Sequence, residues 1–108
     1  MDEKNYEVAF QIILHASEAK NCAFQAMSEA RKGNFVQAEE LLESAEKSLS
    51  LSHQVQTDIL QKEAKGEKVE LSFILVHAQD HLTMAIFALD LAREMIEGFK
   101  LFYEKKEK

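Results

Sequence analysis

Residues 71–99 read LSFILVHAQDHLTMAIFALDLAREMIEGF, and the spacing of their apolar positions decides the fold. One series, stepping by fours and threes, runs Leu71, Leu75, Ala78, Leu82, Ala85, Leu89, Ala92, Ile96 and Phe99. A second, offset by two residues, runs Phe73, His77, Asp80, Met84, Phe87 and Leu91. Two residues rotate about 200° on a helix of ~3.6 residues per turn, so the seams lie on nearly opposite faces. A small helical bundle buries only one of them well. An apolar seam left uncovered marks an interface. The second face is therefore expected to meet copies of the same chain, in the small cyclic homo-oligomers that are the default assembly.

Outward from this stretch, the chain carries clear punctuation. It has no proline, and its three glycines are Gly33, Gly66 and Gly98. Arg31-Lys32 precede Gly33 and Lys65 precedes Gly66, which are cations for a last helical turn followed by a residue suited to a left-handed cap. Asn34 then offers an N-cap, with Gln37 three residues on and Glu39-Glu40 close behind. These signals predict helices over about residues 4–32, 34–65 and 71–104, each roughly 40–50 Å long at ~1.5 Å per residue. Short connections between matched helices predict an all-α, up-down-up antiparallel three-helix bundle, a single domain over residues 1–108. Helix 1 is expected to bury Phe10, Ile13, Cys22, Ala23, Ala26 and Ala30. Helix 2 should bury Phe35, Ala38, Leu42, Ala45, Leu49, Ile59 and Leu60, keeping Glu39, Glu40, Glu43 and Glu46 wet.

Composition narrows the function. The 108 residues carry 13 basic and 19 acidic side chains, a formal net charge of −6, which argues against nucleic-acid binding, where a basic patch is the usual footprint. Apolar residues reach 46%, too many for disorder, but never run unbroken for the ~18 positions of a membrane span. The first residues lack the basic-then-apolar layout of a signal peptide, so a cytoplasmic location is expected. One cysteine, Cys22, excludes an internal disulfide and any CxxC motif. Set among alanines, it reads as a small core residue.

The second seam of helix 3 carries the chemistry. His77, Asp80 and Met84 lie in it, and His81 stands one turn beyond His77 on its flank. An unpaired carboxylate in an apolar strip is costly. If three copies of helix 3 met on an axis, three Asp80 side chains would converge, relieved by a shared hard cation or a shared proton. A polar seam residue can equally do no more than fix register. Imidazole is a nucleophile near neutral pH and a reversible phosphoryl acceptor, which is one reading of His77. His77 and His81, one turn apart beside Asp80, also permit a weak zinc-site reading. A passive trimeric adaptor is the third. His15, among Ile12, Ile13, Ala16 and Ala19, reads as a core or edge histidine, and His53 as part of the polar patch of helix 2. Gln79 could donate a hydrogen bond but, at i+2 from His77, points to another face.

The segment Val76-His77-Ala78-Gln79-Asp80-His81-Leu82 resembles the signature of the lactose/cellobiose (N,N′-diacetylchitobiose) family of phosphotransferase-system IIA components. Glu29 to Glu39, reading EARKGNFVQAE, is similar to that family's first turn. Ser52-His53-Gln54-Val55-Gln56-Thr57 and Lys62-Glu63-Ala64-Lys65-Gly66 are similar to its second helix, with Ser52 where alanine is commoner. The resemblance implies a homotrimer of three-helix bundles built around the third helix. It implies that His77 takes a phosphoryl group on Nε2 from the phosphocarrier HPr and gives it to a cysteine of the IIB component, which serves the membrane-embedded IIC. It also implies that Asp80 shares a magnesium-like ion with its two symmetry mates. From its spacing alone, one turn beyond His77, His81 is expected to orient His77 or to donate to the phosphoryl oxygens, or else to be no more than a polar residue on the flank of the seam.

Overall fold

The computed structural model describes residues 3–107 and contains three helices: α1 (Glu3–Arg31), α2 (Phe35–Ala64) and α3 (Phe73–Glu107). They run up, down and up in a rod of 60 × 22 × 18 Å. A row on α1, Ala9, Ile12, Ala16, Ala19, Ala23, Ala26 and Ala30, is fully buried. It steps by threes and fours, so every member faces one way. Small side chains along it let the other two helices approach closely. α1 accordingly packs along both partners, while α2 and α3 touch each other far less.

The core forms two clusters stacked along the rod. Ala9 and Ile12 of α1 meet Ala78 and Leu82 of α3 in the smaller. Ala16 to Ala30 meet Ala38, Leu42 and Ala45 of α2 and Ala85 to Ile96 of α3 in the larger, with Cys22 half-buried against it. Leu82, Leu89 and Ile96 are the largest sealed side chains of α3, each worth about 1.5–3 kcal/mol of burial. The first seam of α3 is thus the core face.

The turn signals act as the sequence suggests. Gly33 and Gly66 both take positive φ, 87° and 88°. Asn34 N–H donates to the Glu29 carbonyl (2.9 Å) and Gly33 N–H to that of Ala30 (3.0 Å). Glu67 to Lys62 and Gly66 to Glu63, both 3.0 Å, repeat the same pair of bonds. Both helix ends are therefore Schellman closures.

Several expectations need correction. Asn34 stands at the head of α2, but its side chain makes no cap bond; its amide donates instead to Glu29 Oε2 at 2.8 Å. α3 begins at Phe73, because Ser72 Oγ accepts the Leu75 N–H (3.3 Å) and the Ser72 carbonyl accepts that of Val76. Leu71 lies before this cap and is exposed. Phe10 and Leu60 are also exposed. The buried row of α1 passes through Ala9 and Ile12, each one residue before the Phe10 and Ile13 of the expected line, with Ile13 half-buried against it, and of Ile59 and Leu60 α2 turns only Ile59 inward.

Candidate functional site

The second face of α3 finds no cover in its own chain. Phe73 is 89% exposed, Phe87 69%, Met84 46% and Leu91 38%, while Ala78, Leu82, Ala85 and Leu89 behind them are sealed. His77 and Asp80 share this open face. The helix that holds them is anchored by the Ser72 cap five residues before His77 and by Leu75, Ala78 and Leu82 in the core.

The two histidines meet. His77 and His81 lie one turn apart, the spacing at which helical side chains touch, and their Nε2 atoms are 3.1 Å apart. The rings stand edge to face at 83°, centroids 4.6 Å apart. A single hydrogen can occupy an N···N contact of this length, so one ring donates and the other accepts. His77 is exposed, His81 half-buried.

Electrostatics separate the pair further. Burial holds His81 below the ordinary histidine pKa, and the positive charges of His77 and of Lys20 push the same way, against the opposing pull of Asp80. His81 is therefore neutral at pH 7. Since unfolding restores its normal basicity, stability falls as pH drops through about 6.5 and is untouched above it. Lys20 belongs to α1, and nothing in the period of α3 could have announced it. α1 and α3 run parallel side by side, so a charge on α1 can act on the histidines of α3 although it is distant in sequence.

The neighbouring polar residues serve the fold. Gln79, beside the histidines in sequence, turns to α2 and accepts a hydrogen bond from the Gln56 amide. Ser52 is fully buried and donates to the Ile12 carbonyl at 3.0 Å, so the hydroxyl found where alanine is commoner links α2 to α1. His53 is exposed. His15 is half-buried, its Nδ1 sealed without a hydrogen bond, 3.7 Å from Glu18.

A metal site within one chain is not built. Among the described residues no three His, Cys, Asp or Glu side chains gather around a point. The zinc reading of His77, Asp80 and His81 therefore fails: the histidine nitrogens face each other, and Asp80, adjacent to His81 on the helix, turns about 100° away from it. One carboxylate does not hold a hard cation, which takes about six oxygens or more. No helix among the described residues is long and apolar enough to cross a membrane.

Residues 7–100 match the family model of the lactose/cellobiose-specific IIA subunit of the phosphotransferase system. The lichenan-specific phosphotransferase enzyme IIA component of Bacillus subtilis is 39% identical over 106 residues, spanning 98% of this chain and 96% of its own. The crystal structure of the cellobiose-specific enzyme IIA of Bacillus anthracis superposes with a TM-score of 0.93 at 37% identity, covering 97% and 96% of the two chains. The solution structures of the IIA(chitobiose)–HPr complex of Escherichia coli include a chain with a TM-score of 0.81 and 30% identity, covering 94% and 99%. The three-helix rod, the histidine pair on its open face and these likenesses agree: the chain belongs to the lactose/cellobiose-specific IIA family of the sugar phosphotransferase system.

Proposed function

We propose that the chain is a phosphoryl carrier in which His77 accepts phosphate from phospho-HPr and passes it to a cysteine of a cognate IIB component. The observation that carries this reading is the exposed His77 ring, set on a rigid helix with its Nε2 beside that of a neutral histidine. Neutral imidazole has the lone pair that attack on phosphorus requires. As the new Nε2–P bond forms, the donor's bond to phosphorus breaks and its electron pair stays with the donor. The catalytic demand is positioning and stabilisation of the phosphoryl oxygens. HPr as donor is further supported by the Escherichia coli IIA(chitobiose), solved in complex with HPr.

The uncovered seam supports assembly as a homotrimer about α3. In that arrangement three Asp80 carboxylates supply what one cannot, a set of oxygens for magnesium or a similar hard cation. Its role is to balance their charge, and no step of the transfer runs through it.

The test is incubation with enzyme I, HPr and phosphoenolpyruvate. The chain should gain the mass of one phosphoryl group, labile in acid and stable in alkali, and His77→Gln should abolish the gain. Light scattering should report about 37 kDa, three times the 12.3 kDa chain. Label that persists in His77→Gln removes His77 from the mechanism, and a chain that takes no label is the passive adaptor.

A further inference from the structure

At rest the Nε2 of His77 is already engaged, 3.1 Å from the Nε2 of His81. A ring nitrogen cannot attack phosphorus while its lone pair accepts a hydrogen bond along the same direction. Resting on the carrier reading above, we propose that His81 is a positioning residue that exchanges hydrogen-bond partners during the transfer: its Nε2–H caps the His77 lone pair in the unphosphorylated protein and moves to a phosphoryl oxygen once that lone pair has bonded to phosphorus.

Geometry and charge assign the direction of the bond. His77 must present a free electron pair at Nε2, so the single hydrogen between the nitrogens belongs to His81, and His77 carries its own on Nδ1. His77 is the exposed ring, open to an incoming donor. His81 is the half-buried one. The T-shaped arrangement lets His81 swing about its own χ angles without moving the helix. No proton changes owner. The donor's bond to phosphorus breaks, the Nε2–P bond forms, and the His81 N–H exchanges a neutral nitrogen acceptor for a charged oxygen. The second bond is the stronger, because hydrogen bonds to ionised acceptors are roughly twice as strong as neutral ones. Capping therefore holds His77 in the reactive tautomer at rest, and the exchange favours the phosphorylated state.

Two variants of the full chain test this. His81→Leu removes the donor, while His81→Gln keeps an N–H near the position of Nε2. In the unphosphorylated protein, 15N NMR should find His77 in the Nδ1–H tautomer in wild type and His81→Gln, and reverting to the Nε2–H form in His81→Leu. With enzyme I, HPr and phosphoenolpyruvate, the phosphorylation equilibrium should fall about tenfold in His81→Leu and stay within about threefold of wild type in His81→Gln. An unchanged tautomer or an unchanged equilibrium in His81→Leu overturns the proposal and leaves His77 as the carrier. An equal loss in both variants also overturns it, since it assigns His81 to packing alone. Wild-type protein that takes no phosphoryl group overturns the carrier reading and this exchange with it.

Discussion

Where α1 turns into α2, the chain closes on itself. Gly33 takes φ 87° beneath the Tyr103 ring, the Tyr103 hydroxyl donates to the Arg31 carbonyl at 2.8 Å, and Phe35 packs edge-on against that ring at 5.6 Å. At the opposite end, where α2 gives way to α3, Gly66 takes φ 88° with nothing near it, and Leu71 and Phe73 stand in solvent. The backbone device is the same, yet one turn is clamped by the far end of α3 and the other is left open. His77 lies one turn into α3 at the open end. The rod is fastened far from the histidine pair and leaves the end that carries it open.

The largest effect separates the two glycines. Gly66→Ala puts an L side chain into the left-handed region and should cost about 1 kcal/mol. Gly33→Ala incurs the same strain, and its Cβ would also lie 3.1 Å from Tyr103 Cε1 and Cζ. The ring must shift, which loosens its bond to Arg31, one of the last carbonyls of α1. We expect about 2–3 kcal/mol there, read from urea denaturation midpoints at constant slope. Equal costs at the two sites would show that Tyr103 clamps nothing.

Ser52→Ala comes next and concerns the open half. Its hydroxyl is sealed and bridges α2 to the Ile12 carbonyl. That carbonyl keeps its partner within α1, so removing the hydroxyl orphans no buried group, and the loss should be about 0.5–1 kcal/mol. Hydrogen exchange should sharpen the comparison: amides around Ile12 and Gln56 should open faster in the variant, while those around Ala30 and Ala38 should keep their rates. Uniform acceleration along the rod would mean that the two ends unfold as one.

What the sequence disclosed, and what it withheld, follows from the range of each interaction. The glycine turns and the two faces of α3 were legible because they depend on residues a few positions apart. Phe10 and Leu60 misled because apolar size is a poor guide where a helix buries an alanine row, and the row of α1 is visible only as spacing. The Asn34 cap failed because Glu29, five residues upstream, takes its amide. The histidine pair was legible as an i, i+4 spacing, although the facing of its nitrogens depends on rotamers. Lys20, Gln56 with Gln79, and Tyr103 over Gly33 all depend on the register between helices, which no single helical period encodes.

The smallest effect belongs to the ion pairs that tie α2 to α3 in the closed half, Lys100 to Glu39 at 2.9 Å and Arg93 to Glu46 at 3.0 Å. The hydrogen bond that Lys100 donates to Glu39 raises the pKa of Lys100 above the ordinary lysine value, with Glu97 adding to it. A raised folded pKa means that the contribution is fully present below about 10.4 and is lost as pH climbs through the folded value. Both partners are substantially exposed, so solvent screening keeps the pair under about 0.5 kcal/mol. Lys100→Met should therefore move the denaturation midpoint slightly at pH 7 in low salt and not at all in 1 M salt, where the Debye length is ~3 Å. A larger loss that survives high salt would assign Lys100 to the closed end by the packing of its stem, as Tyr103 is, and the contrast between the two halves would then owe nothing to charge.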